Sequence, residues 1–425
     1  MRIGNYFKNI NSKYKNHLFS GLSFNSSDCK KDYIFFAIKG NNHDGNKFIE
    51  HAIKKGAKTI VSNKKYEGIK NRVLFIKSIN TRKILAEVSS KVYEKKPKNL
   101  IAVTGTNGKS SIANFYFQIL RLKKKNVASI GTLGIHKISK KIELQNTTLD
   151  PIQLGKCLIK LKKEKIDNVI LEASSHGLKQ KRLDGLKFKI GIFTNLSHDH
   201  LDYHKSFKDY LDSKLYLFKK LLIKNSSIVT DLDIPEYKKI KSIARKRKIK
   251  LNTISNKYGD LSIISHKYFG EKQSLKIKYK KNIYTFQVSL IGKIQLKNLL
   301  MSMIAANMSN IDFKSIISVI KKIKPVSGRL EKIGFIKNNS SVILDYAHTP
   351  DALRICLQNI KDQFKNRKVS IVFGCGGNRD QFKRSLMGRI ANDYCDKIYL
   401  TDDNPRKENP KKIRQNIKKK IDNSK

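Results

Sequence analysis

The sequence is poor in several residue types, and each shortage limits what the chain can be. Tryptophan is absent, only 7 of the 425 residues are proline, and the 5 cysteines form no C-x-x-C pair. Unpaired cysteines of this kind indicate reduced thiols in a cytosolic protein. Apolar runs of membrane-spanning length are also lacking, and residues 1–6 lack the apolar core of a secretory signal. We therefore expect a cytoplasmic protein without a membrane partner.

Acidic residues are scarce beside basic ones. The chain has 89 lysines and arginines against 34 aspartates and glutamates, a formal net charge of +55. Such a charge could attract nucleic acid. However, the lysines are spread along the whole chain, and abundant Lys, Ile and Asn indicate codons rich in A and T. We therefore predict no nucleic-acid partner, although a nucleotide substrate would benefit from the positive field.

The chain does contain a candidate phosphate-binding loop at 103–111, V-T-G-T-N-G-K-S-S. It follows an apolar run and precedes a helical pattern, the context in which backbone N–H groups and a helix N-terminus surround phosphate oxygens. The match is partial, because Val103 stands where the standard pattern has glycine. An ordinary strand-to-helix turn is the alternative. The Gly-Lys-Ser sequence favours nucleotide binding, with Lys109 on the terminal phosphates and Ser110 on Mg²⁺.

Short apolar runs alternate with helical patterns, which predicts an α/β fold of three domains. Residues 1–97 would form a small N-terminal α/β domain with strands near 33–38, 59–61 and 73–76. Residues 98–325 would form a central P-loop-type ATPase domain with a mostly parallel sheet. Residues 326–425 would form a Rossmann-like domain, with strands at 341–345, 369–374 and 397–401 in one doubly wound sheet. The basic end, 411–425, is either a helix or a frayed tail.

Two predicted strands of the central domain end in polar side chains. The run 168–173 ends at Glu172, and the run 190–195 precedes a segment that contains His198, His200 and His204. In open α/β sheets, ligands lie beyond the carboxyl ends of the strands, so we expect Glu172 and His200 beside the phosphate loop. A zinc site is the alternative, since histidines four residues apart share a helix face. That site would make the protein a zinc hydrolase.

A predicted helix at 206–222 carries Lys214 on its apolar face. The apolar stripe consists of Phe207, Tyr210, Leu211, Leu215, Phe218 and Leu221. A lysine on such a face usually extends its amine to solvent. Alternatively, burial lowers its pKa, and the neutral amine reacts with CO2 to give a carbamate, an oxygen ligand for Mg²⁺. Periodicity leaves both interpretations open.

Taken in order, these motifs resemble those of the Mur ligases, ATP-dependent enzymes that form amide bonds in peptidoglycan synthesis. The matching segments are T-G-T-N-G-K-S at 104–110, N-T-T at 146–148, E-A-S-S-H-G-L at 172–178, N-L-S-H-D-H-L-D-Y-H at 195–204, D-Y-A-H-T-P-D at 345–351 and D-N-P-R at 403–406. The set is most similar to the branch that adds the third peptide residue. No single motif decides this resemblance, but their order is specific.

The resemblance implies an ATP site and a magnesium site. ATP would be bound by Gly105, Thr106, Asn107, Gly108, Lys109, Ser110 and Ser111, with Asn298 and Asp345 at the adenosine. Mg²⁺ would be held by Ser110, Glu172, His200 and the carbamate of Lys214. The catalytic residues would be Lys109, Glu172, His200 and Lys214.

The resemblance also implies two further substrates, UDP-MurNAc-L-Ala-D-Glu and meso-diaminopimelate. The first would contact Ser26, Asn41, Asn42, His43, Asn146, Thr147, Thr148, Ser174, Gln180 and Arg182. The second would be bound by Arg379, Asp403, Asn404, Pro405 and Arg406. An arginine suits this role, because it can pair bidentately with the distal carboxylate that lysine lacks. We expect a monomer that joins the two through an acyl phosphate.

Three departures from the family pattern leave alternatives open. Ser27 stands where the family has an arginine, and the stretch around Gln295 differs from the family form. The chain also stops soon after Arg406, without the Gly-Lys-Gly-His-Glu stretch that helps relatives hold diaminopimelate. The third domain is therefore predicted to be incomplete. The alternatives are an L-lysine-adding ligase of the same fold and a truncated, non-catalytic substrate binder.

Overall fold

The computed structural model describes residues 1–40, 43–64, 66–138, 140–200, 203–378, 380–422 and 424, except for the side chain of Asn338. The chain divides into two compact units. The first comprises Met1–Ala102, Asn126–Lys189 and Ser213–Ser226. The second comprises Val103–Lys125, Ile190–Asp212 and Ser227–Lys425.

The elements follow one another in an α/β order. The N-terminal part contains β1 Gly21–Ser23, β2 Tyr33–Phe36, α1 Ile49–Lys54, β3 Ala57–Ser62, β4 Gly68–Lys70, β5 Val73–Lys77 and α2 Thr81–Val92. The central part contains β6 Asn99–Thr104, α3 Lys109–Leu122, β7 Val127–Gly131, β8 Gly134–His136, β9 Lys141–Ile142, α4 Pro151–Lys163, β10 Asn168–Glu172, α5 Ser175–Lys179, β11 Phe188–Phe193, α6 Phe207–Tyr216, β12 Leu222–Asp231, α7 Tyr237–Arg247, β13 Lys250–Ser255, β14 Leu261–Phe269, β15 Lys272–Tyr279, β16 Asn282–Val288, α8 Lys293–Met308 and α9 Phe313–Ile320.

The C-terminal part contains β17 Glu331–Ile336, β18 Ser340–Leu344, α10 Pro350–Gln363, β19 Ser370–Phe373, α11 Phe382–Tyr394, β20 Lys397–Leu400 and α12 Pro410–Lys418. Short 3-10 helices occupy Ile3–Asn5, Ser12–Tyr14, Ser26–Asp28, Gly45–Phe48 and Lys337–Asn339. Of the two outcomes left open for the basic end, α12 shows the helix.

Proline and side-chain caps explain where several helices begin. Pro151, Pro350 and Pro410 each stand in the first turn of a helix. There, the missing N–H costs nothing and the fixed φ favours the helix. The preceding Asp150 accepts hydrogen bonds from the amides of the first turn of α4, and Thr349 and Asn409 do the same for α10 and α12.

The first unit contains a sheet of five strands in the order β1-β2-β3-β5-β4, parallel except for β4. Successive residues of β2 point to opposite faces. Ile34 and Phe36 belong to the core that includes Leu85 and Val88 of α2, and Phe35 belongs to the core on the other face. The sheet is therefore buried on both sides, as is usual for parallel strands.

The strands of the central part are distributed between the units. In the first unit the order is β6-β10-β7-β8-β9, with β10 parallel to β7. In the second unit the order is β16-β15-β14-β13-β12-β11-β6. There, β12, β13 and β14 are parallel, and β14, β15 and β16 form an antiparallel meander. The predicted parallel central sheet is confirmed, with antiparallel strands added at its edges.

Two details of the predictions are wrong. The strand expected at 341–345 does not share a sheet with the two that follow, because β18 pairs antiparallel with β17 while β19 pairs parallel with β20. The short turn Lys337–Asn339 makes β17 the nearest partner of β18, whereas a parallel pairing needs a longer crossover. In the predicted helix at 206–222, Phe207 is 44% exposed, and the last residues, Leu217–Leu221, form a π-helical turn.

The described helices were also compared with the length and apolarity that a bilayer crossing requires. Within the described part of the chain, none of them satisfies both conditions.

The contact between α11 and α12 gives a test of the C-terminal packing. A Cβ at Gly388 would lie 2.1 Å from the carbonyl oxygen of Ile417, so Gly388→Ala must push the helices apart. We expect the free energy of unfolding to fall by about 1–3 kcal/mol, measured by urea titration followed by circular dichroism. Gly334→Ala is the control, because a Cβ there meets no atom within 4 Å. Equal stability of the two variants would contradict this packing.

Candidate functional site

The loop between β6 and α3 has the geometry of a phosphate cradle. Gly105 has φ +148° and Gly108 has φ +88°, values that favour glycine. A Cβ at Gly105 would lie 1.8 Å from Oγ1 of Thr194, and one at Gly108 would lie 2.5 Å from Oδ1 of Asn298. Both glycines are therefore required by the backbone path, and α3 begins directly after the loop. Its N-terminal amides and partial positive charge face the turn.

The segment after β11 holds this loop in place. The side-chain oxygen of Asn195 accepts from the Asn107 amide at 2.9 Å, and its carbonyl accepts from the Thr106 amide at 2.9 Å. The Thr194 hydroxyl donates to the carbonyl oxygen of Asn107 at 2.6 Å. Nζ of Lys109 donates to the carbonyls of Gly105 at 3.0 Å and Thr106 at 2.7 Å. The ammonium group therefore lies over the loop that a phosphate would enter.

Three other predicted ATP residues lie near the loop in the same unit. Ser110 and Ser111 are buried in the first turn of α3, and Nη2 of Arg329 lies 3.5 Å from Oγ of Ser110. Asn298 is buried on α8, which packs against α3. The structure therefore brings Asn298 to the phosphate loop, at Gly108.

Asp345 follows β18 in the second unit. Its carboxylate oxygens accept from the backbone amides of Leu330 at 2.8 Å and Ala347 at 2.9 Å. Burial raises the pKa of this carboxyl, while these amides and the Arg329 guanidinium lower it. In this structure Asp345 stabilises the turn at 328–331, and its predicted contact with adenosine stays a prediction.

His200 has a left-handed backbone, with φ +55°. Its amide donates to Oδ1 of Asp199 at 2.8 Å, and its ring lies edge-on to that of Tyr210, with centroids 6.1 Å apart. The Tyr210 hydroxyl lies 3.1 Å from the hydroxyl of Thr106 in the phosphate loop. A histidine in this uncommon conformation next to a ligand loop is typical of a functional site.

The three histidines of this segment differ in exposure. His198 is exposed and His204 is 1% exposed. Among the described residues, no group of three or more His, Cys, Asp or Glu side chains is arranged to hold a metal ion. The histidine-based zinc site of the hydrolase hypothesis therefore gains no support from the part of the chain that the structure describes.

Glu172 ends β10 in the first unit and is 2% exposed. Its carboxylate accepts from the amide of Thr132 at 2.9 Å and from the Thr132 hydroxyl at 3.1 Å. A Cβ at Gly131 would lie 2.1 Å from Oε1 of Glu172, so only glycine leaves room for the carboxylate at the end of β7. This side chain is held in place before any ligand binds.

A network of polar side chains continues from Glu172. The Thr148 hydroxyl donates to the Glu172 carbonyl at 2.8 Å and accepts from the Ser174 amide at 3.0 Å. Nη1 of Arg182 donates to the Thr148 carbonyl at 2.6 Å, and its Nε donates to Oε1 of Gln180 at 3.0 Å. The predicted residues Thr148, Ser174, Gln180 and Arg182 are therefore adjacent. Thr147 joins the group through its hydroxyl, 3.0 Å from that of Thr132.

This network borders a cavity of about 660 Å³ within the first unit. The predicted residues His43, Asn146, Gln180 and Arg182 line it. Apolar walls come from Phe24, Ile38, Leu85, Leu144 and Leu149. A cleft of this size that combines apolar walls with polar and charged groups suits a small-molecule ligand.

Among the remaining predicted acceptor residues that the structure describes, Ser26 lies away from the lining of this cavity. Ser26 is buried, its hydroxyl lies 3.0 Å from Nδ1 of His51, and it is not among the lining residues. Asn41 and Asn42 lie outside the described residues, as does Arg379 of the amino-acid set.

Lys214 is 1% exposed, although most lysines keep their charge in water. The interpretation in which its amine reaches solvent is therefore wrong. The helical periodicity correctly predicted the burial, because the neighbouring positions Tyr210, Leu211, Leu215 and Phe218 are all buried. Carbamylation stays a prediction.

The residues Asp403–Arg406 form a loop after β20. Nη1 of Arg406 donates to the carbonyl of Gly377 at 2.6 Å, in the loop that follows β19. The Gly377 amide donates to the Asn404 carbonyl at 2.8 Å. Because β19 and β20 are parallel, both loops lie at the carboxyl edge of the pair, where ligands bind in open sheets.

Sequence reasoning missed two side chains at these sites. Thr132, which anchors Glu172, follows β7, so the rule about strand ends could have identified it. Arg82 lines the cavity from α2, and its position on a surface helix gives no signal in the sequence.

Comparison with known proteins gives three matches to models of one family. Residues 18–93 match the catalytic domain of the Mur ligase family, 103–306 match the Mur ligase middle domain and 328–425 match the Mur ligase glutamate ligase domain. The chain is 41% identical over 415 residues to the UDP-N-acetylmuramoyl-L-alanyl-D-glutamate–2,6-diaminopimelate ligase of Rickettsia conorii, and covers 85% of it with 96% of its own length. The ligase of the same name from Rhizobium meliloti is 36% identical, with 93% of this chain and 81% of the relative covered.

Two solved structures are similar to this chain. A ligase of that name has 30% identity and a TM-score of 0.74, and the match covers 97% of this chain and 84% of the other. The MurF ligase of Thermotoga maritima, solved with ADP, has 19% identity and a TM-score of 0.62, covering 94% and 87%. The second likeness concerns the fold alone.

Gly105→Ala tests the phosphate loop. The new methyl group would meet the Thr194 hydroxyl, and alanine is strained at φ +148°. We expect the affinity for ATP, measured by calorimetry, to fall about tenfold or more, because the amides that face the phosphates are displaced. Gly334→Ala, far from steric conflict, should bind as the wild type does. Unchanged binding by Gly105→Ala would contradict the cradle.

Proposed function

The chain belongs to the Mur ligase family, and we propose from this membership that it is the ATP-dependent ligase that adds meso-diaminopimelate to UDP-MurNAc-L-Ala-D-Glu. The fold is the three-domain α/β fold of the family, with a parallel sheet in the central domain. The observation that carries the proposal is the loop before α3, whose two glycines are required by the close approach of Thr194 and Asn298 and whose Lys109 ammonium lies over the turn. The incompleteness of the third domain stays a prediction.

The protein's proposed place is the cytoplasmic synthesis of peptidoglycan precursors, on which cell shape and division depend. It would act there as a monomer. Its substrates would be ATP, the nucleotide-linked dipeptide and a free amino acid.

ATP would be held by residues 105–111, of which the Thr106 and Asn107 amides already donate to Asn195 and shape the loop. For ATP to bind, Lys109 must exchange its hydrogen bonds with the Gly105 and Thr106 carbonyls for bonds with phosphate oxygens. A charged group that already lies over the loop needs only a side-chain rotation, so positioning costs little. Asn298 and Asp345 would contact the adenosine.

Mg²⁺ is the metal that this family implies, and a carboxylate and a hydroxyl are ligands of the kind that a hard cation prefers. Glu172 offers a buried carboxylate fixed by Thr132, and Ser110 offers a hydroxyl in the first turn of α3. His200 and the carbamate of Lys214 would complete the set. When bound, Mg²⁺ supplies positive charge to the phosphates during phosphoryl transfer.

The nucleotide-linked dipeptide would occupy the cavity beside Glu172. The guanidinium groups of Arg82 and Arg182 suit a diphosphate, although Glu143 and Asp150 also line the cavity, and the apolar walls suit a uracil ring. Thr148, Ser174 and Gln180 would fix the acceptor through the network that joins them to Glu172. Ser26, Asn41 and Asn42 would lie towards the uridine, as the family implies.

Two displacements would complete the reaction. An oxygen of the D-glutamyl side-chain carboxylate attacks the γ-phosphorus of ATP, the bond to the β–γ bridging oxygen breaks, and ADP and an acyl phosphate result. The amine of diaminopimelate then attacks the acyl carbon, phosphate leaves with the bonding electron pair, and the nitrogen loses a proton. The protein would catalyse both steps by orientation and charge, with Lys109 beside the transferred phosphoryl group.

The incoming amino acid would be bound by Arg379, Asp403, Asn404, Pro405 and Arg406. Arg406 is exposed, and its Nη1 donates to the Gly377 carbonyl, so its side chain lies at the meeting point of the two loops. A guanidinium can pair with the distal carboxylate of diaminopimelate, which lysine lacks. Specificity for diaminopimelate over lysine follows from this pairing.

The proposed function is tested by phosphate release from ATP in the presence of UDP-MurNAc-L-Ala-D-Glu. Release that requires both this acceptor and diaminopimelate is expected, with Lys109→Ala inactive. Release with L-lysine instead would assign the protein to the lysine-adding alternative. Binding of the acceptor without release would identify a non-catalytic binder.

Lys214→Ala tests the carbamate. We expect inactivity, because a metal ligand is lost, and partial recovery on addition of short carboxylates such as acetate. Lys219→Ala, on the π-helical turn that follows α6, is the matched control and should keep its activity without acetate. Full activity of Lys214→Ala without acetate would exclude the carbamate.

Arg406→Lys tests recognition of the amino acid. The ammonium of lysine cannot form the bidentate pair, so the KM for diaminopimelate should rise about tenfold or more while the KM for ATP changes little. The measurement is steady-state phosphate release with each substrate varied in turn. Equal losses for both substrates would mean that Arg406 has a structural role.

A further inference from the structure

Two loops of the C-terminal part touch through their backbones. One follows β19 and includes Gly377 and Asn378, and the other follows β20 and includes Asn404 and Pro405. A Cβ at Gly377 would lie 1.9 Å from the carbonyl oxygen of Pro405. The Gly377 amide donates to the Asn404 carbonyl at 2.8 Å, and the side-chain oxygen of Asn378 accepts from the Lys407 amide at 3.1 Å. These contacts therefore leave the two loops little room to change their separation.

An ion pair between the buried Arg384 and the partly exposed Glu408 lies beside this contact. Arg384, in the first turn of α11, is 0% exposed, and its Nη2 lies 2.9 Å from Oε2 of Glu408. The other carboxylate oxygen of Glu408 accepts a hydrogen bond from the backbone amide of Asn378. Nη2 also donates to the Gly376 carbonyl at 3.4 Å. One arginine and one glutamate thus connect α11 with both loops.

The arginine depends on this single carboxylate. Its Nε and Nη1 are buried and have no hydrogen-bond partner among the described residues. A buried cation is tolerated when it is paired, and removal of its partner is strongly unfavourable. The Asn378 amide and the Arg384 guanidinium in turn lower the pKa of the Glu408 carboxyl, so the carboxylate is charged at neutral pH.

We propose that Arg384 and Glu408 are positioning residues for the amino-acid substrate. They hold the loop of Asn404–Arg406 against the loop of Gly376–Asn378, so that Arg406 is presented with a fixed orientation. This inference rests on the proposed function for the identity of the ligand. The pair itself lies behind the loops and acts through them, without touching the substrate.

The pair of Arg384 and Glu408 therefore contributes to the selectivity for the amino-acid substrate. A bidentate pair with a distal carboxylate consists of two parallel N–H···O bonds, so the guanidinium of Arg406 has to be held in one orientation for the amino acid to bind tightly. ATP is proposed to bind at a different loop of the second unit, the one before α3. Loss of the pair should therefore weaken the amino acid selectively.

Glu408→Gln is the first test, because glutamine keeps the shape and removes the charge. In steady-state phosphate release, the KM for diaminopimelate should rise about tenfold, while kcat and the KM for ATP stay within about twofold. Arg414→Gln is the matched control, since it removes an exposed ion pair with Asp402 in the same loop and should change none of these values. An unchanged KM for diaminopimelate in Glu408→Gln overturns the positioning role.

Hydrogen exchange gives a second test that does not need activity. In Glu408→Gln and in Gly377→Ala, the amides of residues 377 and 378 should exchange about tenfold or more faster than in the wild type and in Arg414→Gln, because their bonds across the loops are weakened. Unchanged exchange in both variants overturns the inference. A wild type without diaminopimelate-dependent release overturns the proposed function and the assigned ligand, whatever the exchange shows. If the wild type is active and the variants keep its KM for diaminopimelate and its exchange rates, only the positioning role is overturned.

Discussion

The second unit depends on the close approach between the phosphate loop and the residues that follow β11. Gly105 lies so near Thr194 that no side chain fits between them, and Asn195 binds the amide of Asn107 with its side chain and that of Thr106 with its backbone. These bonds use part of the loop's own polar groups and leave the turn with one shape. A loop with one shape is pre-organised, so a ligand does not have to supply the free energy of ordering it.

The first unit shows the same principle at Glu172. Gly131 makes room for its carboxylate, Thr132 binds the carboxylate twice, and the Glu172 carbonyl holds Thr148. One residue thus links the end of β10 to the network that borders the cavity. A change in the position of its backbone would alter both the carboxylate and the cavity wall.

Much of this could be predicted from the sequence, because the signals were local. The phosphate loop has its own residue pattern, the strand ends at Glu172 and before His200 followed from apolar runs, and the burial of Lys214 followed from helical periodicity. What failed depended on distant partners. The hairpin of β17 and β18 was missed because an apolar run does not tell which neighbour it pairs with. The cavity and Arg82 were missed because they require elements far apart in sequence to meet.

The excess of positive charge can be understood from which of the basic side chains are buried. The chain has 89 basic residues, yet among the described ones only Lys214 and Arg384 are buried lysines or arginines. Burial of a cation is costly unless it is paired or neutralised, so a sequence under a bias towards lysine places almost every one of them in water. The bias therefore explains the many exposed lysines and leaves these two unexplained. Arg384 is compensated by Glu408, and a carbamate would replace the positive charge of Lys214 by a negative one. Burial therefore singles out these two cations for a physical explanation, whereas Lys109 and Arg406, which are not buried, are recognised by their motifs instead.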